Sequence, residues 1–168
     1  MSEIHVFFKK VNMREEVYDL LKTSFLKLFG EEAPNVFKDK NGKPYFDGKP
    51  DIHFSISHSG DYAMCAISGD PIGADIQKIQ EISQKMLKRV FTQNELENAD
   101  PISLWCLKES FVKFKGKLDR EYRNIEFLKA DDVFFGPDDT KGILINEMSG
   151  YMAAVCMKNL GNINVLML

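Results

Sequence analysis

The chain has 168 residues, of which 44% are hydrophobic and 28% charged, with a formal net charge of -3 at pH 7. That is enough material for one compact domain, or for two small halves packed together, and a slightly acidic balance offers no general attraction for nucleic acid. No stretch approaches the roughly 20 continuous apolar residues that cross a bilayer, and the N-terminus lacks a basic region followed by an apolar one, so a soluble cytoplasmic protein is expected.

In chain order, Ile4 to Phe8 reads as a strand and Arg14 to Phe29 as an amphipathic helix, with Val17, Leu20, Leu21, Phe25 and Leu28 on its apolar stripe and Gly30 at its end. The polar stretch Glu31 to Lys43 reads as a loop. Ile52 to Ser57 alternates as a strand, with His53, Ser55 and Ser57 on one face, and the turn His58-Ser59-Gly60-Asp61 leads to a partner strand, Tyr62 to Ser68. A further strand runs from Pro71 to Ile76, and a helix from Ser83 to Val90 follows. Thr92-Gln93-Asn94-Glu95 has the form of a capping box, and Asp100-Pro101 supplies an N-cap and a first-turn proline for the next helix. Strands are expected at 125–127, 143–148, 151–157 and 164–167, with a hairpin turn at Ser149-Gly150.

The three cysteines, Cys65, Cys106 and Cys156, lie in apolar runs without metal-ligand spacing and read as reduced core residues. The acidic pairs Asp131-Asp132 and Asp138-Asp139 lack the periodic ligands of a calcium loop and read as solvated.

Two segments carry the chemistry. In Ile72-Gly73-Ala74-Asp75-Ile76-Gln77 and in Trp105-Cys106-Leu107-Lys108-Glu109-Ser110-Phe111-Val112-Lys113, a carboxylate sits among apolar residues, where a lone charge is unfavourable unless a cation is near. On the helix from Pro101, the residues Leu104, Leu107, Phe111 and Phe114 form the core stripe, while Trp105, Glu109 and Lys113 share another face. Alone, Glu109 and Lys113 are also what an ordinary surface pair at i,i+4 looks like. Asp75 changes the weighing: with Gly73 allowing close backbone approach, it could face Glu109 across a cleft and share a divalent ion with it, magnesium suiting oxygen ligands and phosphates best. His58 with Ser57 reads either as a bystander beside a turn or as a phosphate contact.

Taken in order, Gly42-Lys43-Pro44-Tyr45, Phe54-Ser55-Ile56-Ser57-His58-Ser59-Gly60, the Asp75 segment and the Glu109 segment resemble the Sfp-type 4′-phosphopantetheinyl transferases, over roughly Lys43 to Met157. The resemblance implies an α+β, pseudo-twofold fold of two similar α/β halves, residues 1–69 and 70–168, with coenzyme A in the cleft between them. It implies transfer of phosphopantetheine from coenzyme A to a serine of an acyl or peptidyl carrier protein by a monomer. Asp75 and Glu109, with Gln77 as a further ligand, would hold magnesium. Lys113 and Lys108 would neutralise phosphate charge, Ser57 and His58 would contact the 3′-phosphate, and Lys43 would lie beside it and the adenine. Glu109 would be the base. The family commonly has a second acid where this chain has Gln77, and a longer basic N-terminal region; Lys9, Lys10, Arg14 and Lys22 are candidates for that region's contacts by charge alone. A coenzyme A-binding or carrier-binding protein without transfer activity is the alternative, and another metal-dependent phosphoryl transfer enzyme a third.

Overall fold

A computed structural model describes residues 3–13 and 15–168; Arg14, the expected start of the first helix, lies outside the described residues. The first strand, β1 (Ile4–Lys10), leads into helix α1 (Glu16–Phe29), which buries Val17, Leu20, Leu21 and Phe25 and stops at Gly30. The expected loop contains half of a small hairpin, β2 (Val36–Lys38) with β3 (Pro44–Phe46), paired from Val36↔Phe46 to Lys38↔Pro44. Its strands are three residues each, too short for an alternating pattern to show. Next come β4 (His53–Ser59) and β5 (Tyr62–Ser68), joined by a tight turn. β4 continues through His58 to Ser59, so His58 is a strand residue paired with Ala63 rather than part of the turn.

The second half opens with β6 (Gly73–Lys78), followed by α2 (Gln84–Val90), α3 (Gln93–Asn98) and α4 (Pro101–Lys115). Both bonds of the capping box form at α3, and Asp100 accepts from Ser103 N at the start of α4. Residues 125–127 form no strand; they link a 3-10 turn, Tyr122–Asn124, to a hairpin of β7 (Leu128–Ala130) and β8 (Val133–Phe135). Strands β9 (Lys141–Ile145), β10 (Tyr151–Met157) and β11 (Ile163–Met167) complete the chain. Asp138 is exposed, as expected of a solvated loop, and pairs at the surface with Lys115 at 2.8 Å and Arg120 at 3.0 Å.

Among the described residues two larger sheets form beside the two-stranded β2-β3 sheet, ordered β11-β1-β5-β4 and β6-β10-β9-β8-β7. Within them one motif occurs twice: strand, helix, hairpin, strand, strand. The triplets β1-β5-β4 and β6-β10-β9 have the same order, and all their pairings are antiparallel. The expected boundary at residues 69 and 70 falls between β5 and β6. The C-terminal strand crosses it, since β11 pairs in parallel with β1. One core lies between the sheets, where Val6, Phe8, Met64 and Ala66 meet Ile72, Ala74, Ile76 and Val155. Others lie under α1 and under α4. Among the described residues no helix is long and apolar enough to cross a membrane.

The polar face of β4 has a specific partner. Ser55, Ser57 and Ser59 project toward β6, the end strand of the second sheet, whose outer N–H groups would otherwise be unpaired. Ala74 N donates to Ser55 Oγ at 2.9 Å, Ile76 N to Ser57 Oγ at 3.4 Å and Lys78 N to Ser59 Oγ at 2.9 Å. Every second residue of β4 from Ser55 to Ser59 thus serves as a rung joining the two sheets, and this fixes β6 and Asp75 beside β4.

Candidate active site

A cleft of about 550 Å³ opens between the halves. One wall is β4 from Phe54 to His58 with Val17 and Tyr18 of α1, and the other is Asp75 and Gln77 of β6 with Glu109, Val112 and Lys113 of α4. The β2–β3 hairpin closes one end with Lys38, Asn41, Gly42, Lys43 and Pro44.

Asp75 is only 2% exposed, and both of its oxygens are engaged. Oδ1 accepts from Ser57 Oγ at 2.7 Å and from Lys113 Nζ at 2.7 Å; Oδ2 accepts from Gln77 Nε2 at 2.8 Å. The Cys106 thiol lies 3.8 Å behind Oδ2 and is held well above its usual pKa by burial, so it is an inert neighbour. Lys113, 30% exposed, is the cation that compensates this carboxylate.

Glu109 stands one helical turn before Lys113 and accepts from Tyr122 Oη. Burial raises its pKa, the Tyr122 bond opposes that rise, the Asp75 charge adds to it, and Lys113 lowers it. Burial and the bond to Glu109 raise the pKa of the Tyr122 phenol, so it stays a donor. The two helix residues reach the cleft because α4 lies directly on β6. A Cβ on Gly73 would come within 1.9 Å of Ser110 O and 2.4 Å of Phe114 N, so only glycine allows this approach.

Lys43 donates to Phe114 O at 2.6 Å, satisfying a carbonyl in the last turn of α4 and fastening the hairpin to the helix that carries Glu109. Burial lowers its pKa. Gly116, at φ 77°, ends α4 and leaves room for the Lys43 stem, 3.0 Å from where a Cβ would sit. His58 is exposed at the cleft wall.

Of the residues predicted from sequence, Lys43, Ser57, His58, Asp75, Gln77, Glu109 and Lys113 all line this one cleft. One reading needs correction. Lys108 is 0% exposed and does not reach the cleft; its ammonium bonds Glu95, Tyr122 O and Ile125 O on the other side of α4. Adjacent residues on a helix point about 100° apart, and Lys108 belongs to the core side. Ser57 lines the cleft and its hydroxyl donates to Asp75, so it orients that carboxylate. Lys38, Lys117 and Tyr18 also line the cleft and were not singled out. Lys38 sits on the strand read as loop, and Lys117 follows the helix cap; neither has a pattern around it that would reveal it.

The donor set suits magnesium. Asp75 and Glu109 offer hard carboxylate oxygens, and Gln77 keeps an amide oxygen after its N–H bond to Asp75. Among the described residues no three His, Cys, Asp or Glu side chains converge as a metal cage. A small hard cation bound by one or two carboxylates and completed by phosphate oxygens and water is the usual arrangement for magnesium.

The model of the 4'-phosphopantetheinyl transferase superfamily matches residues 71–152, which run from β6 through α4 into β10. The 4'-phosphopantetheinyl transferase gsp of Aneurinibacillus migulanus is 34% identical over 128 residues, covering 66% of this chain and 53% of the relative. The 4'-phosphopantetheinyl transferase Sfp of Bacillus subtilis (strain 168) is 43% identical over 86 residues, 45% of this chain and 38% of the relative. The human L-aminoadipate-semialdehyde dehydrogenase-phosphopantetheinyl transferase is 34% identical over 115 residues, 56% of this chain and 35% of the relative. The chain thus spans about half, or less, of the length of the curated relatives it matches. With Lys43, His58, Asp75, Glu109 and Lys113 gathered around one cleft and residues 71–152 matching the superfamily model, the chain is similar to the Sfp-type 4′-phosphopantetheinyl transferases.

Proposed function

We propose that the protein transfers 4′-phosphopantetheine from coenzyme A to a serine of an apo acyl or peptidyl carrier protein, releasing adenosine 3′,5′-bisphosphate. The observation that carries this reading is the meeting of Asp75, Glu109 and Lys113 in a single cleft with Lys43 and His58. Coenzyme A occupies that cleft, with its 3′-phosphate toward Lys43 and His58 and its diphosphate between β4 and α4, against Asp75, Glu109 and Lys113. Asp75 and Glu109 would hold magnesium, with Gln77 as a third, weaker ligand; when bound, the ion neutralises negative charge on the diphosphate.

Glu109 takes the proton from the carrier serine hydroxyl. The serine oxygen forms a bond to the β-phosphorus, and the bond from that phosphorus to the oxygen bridging to the α-phosphate breaks. The bisphosphate leaves with the electron pair. Lys113 contributes a fixed positive charge beside the phosphate oxygens as negative charge builds on them. Burial of Glu109 favours this role, because a carboxylate with a raised pKa is a better base near neutral pH. Ser57 keeps Asp75 oriented throughout.

Carrier docking is assigned to α2, where Lys85, Lys88 and Arg89 are exposed and the partner is acidic. Three free buried cysteines agree with a reducing, cytoplasmic setting, and both cleft walls come from one chain, so a monomer suffices. The test is the intact mass of an apo carrier protein after incubation with the protein, coenzyme A and magnesium. A phosphopantetheine increment is expected; binding of coenzyme A with no increment would leave a binding module in place of an enzyme.

A further inference from the structure

Lys108 and Glu95 form an ion pair, Nζ to Oε1 2.7 Å, with neither side chain exposed. Such a pair is stable only when its remaining hydrogen-bonding capacity is met. Here it is: the ammonium also bonds Tyr122 O at 3.0 Å and Ile125 O, while the carboxylate accepts from Thr92 N at 2.9 Å and Phe127 N at 3.0 Å. The pair therefore clamps the backbone around the 3-10 turn against α4. From that fixed backbone the Tyr122 side chain spans one turn of the helix. Its ring lies on Trp105, centroids 4.8 Å apart, and its hydroxyl donates to Glu109 Oε1.

We propose that Tyr122 is a positioning residue for Glu109, holding one carboxylate oxygen so that the other is presented to the cleft, with the Lys108–Glu95 pair as the clamp that keeps Tyr122 in place. The functional part rests on Glu109 being the base. A partly buried glutamate has three side-chain torsions to fix, and a second contact ordered during folding spares that ordering at the moment of reaction.

Tyr122→Phe removes one oxygen and keeps the ring on Trp105. In transfer assays kcat should fall about tenfold while KM for coenzyme A stays within about twofold. In a Glu109→Gln background the same change should matter less than about twofold, because the two groups act together. The contact itself is read without turnover, from the Glu109 carboxyl resonance in protein labelled with 13C-glutamate, assigned by its loss in Glu109→Gln. That resonance should move in Tyr122→Phe while the melting temperature stays close to wild type. An unmoved resonance overturns the contact whether or not the protein transfers. Unchanged kcat in an active protein overturns the positioning role. A moved resonance in a wild-type protein without transfer keeps the contact and removes only the reading of Glu109 as base.

Discussion

The same motif is used differently in the two halves. In the second, the β7–β8 hairpin pairs with β9 through Phe134↔Gly142 and Phe135↔Lys141, so the sheet continues and its edge is covered. In the first, the corresponding β2–β3 hairpin forms its own two-stranded sheet, and β4 is left as an end strand with a cleft beside it. The helices differ in parallel. α1 buries an almost wholly apolar stripe, whereas α4 buries Ser103, Lys108 and Ser110 and turns Glu109 and Lys113 to the cleft. The first half thus supplies the open edge, and the second supplies the carboxylates that face it. A duplicated fold gains a site when one copy leaves an edge uncovered.

Four changes break or sharpen that contrast. The largest effect is expected from Lys108→Met, which strands the buried Glu95 carboxylate and should destabilise the second half by about 3–5 kcal/mol in urea unfolding. Pairing it with Glu95→Gln should recover most of the loss. Gly73→Ala should cost about 3 kcal/mol, since its methyl group meets α4 backbone that has little freedom to move, and should weaken coenzyme A binding because Glu109 and Lys113 ride on that helix. Lys43→Met releases the hairpin from Phe114 O; a loss of about 1 kcal/mol in stability and roughly tenfold in coenzyme A affinity by calorimetry is expected.

The smallest change has a sign that depends on pH. Burial raises the Glu109 pKa above its ordinary 4.5, so the folded state holds that proton more tightly than the unfolded chain does. Its contribution to stability is fully present below pH 4.5 and is lost as pH rises through the raised native value. Glu109→Gln should therefore melt higher than wild type at pH 7.5, without magnesium or coenzyme A, and the advantage should vanish below about pH 4.5.

Much of this was legible in the amino-acid order, for identifiable reasons. The α1 stripe, the capping box at Thr92 and the Asp100-Pro101 start are local signals that depend on neighbours in the chain. Asp75, Glu109 and Lys113 stood out because charge among apolar residues needs a partner, and their motif spacing resembles a known family. The hairpin strands were too short to show a period. Lys108 was misread because the segment that places it beside a carboxylate and two carbonyls, residues 122–125, carries no signal of its own. Alternation shows that Ser57 shares a face with Ser55, and only the tertiary structure shows β6 and Asp75 opposite that face. Tyr122 had no pattern around it, and its role emerges only from where the buried ion pair holds it.

The most direct measurement is a crystal structure of the protein with coenzyme A and magnesium. The diphosphate is predicted to lie in the cleft between β4 and α4, against Asp75, Glu109 and Lys113, with the 3′-phosphate at Lys43 and His58. Coenzyme A bound elsewhere, with the Asp75–Lys113 pair untouched and the cleft empty, would contradict the account.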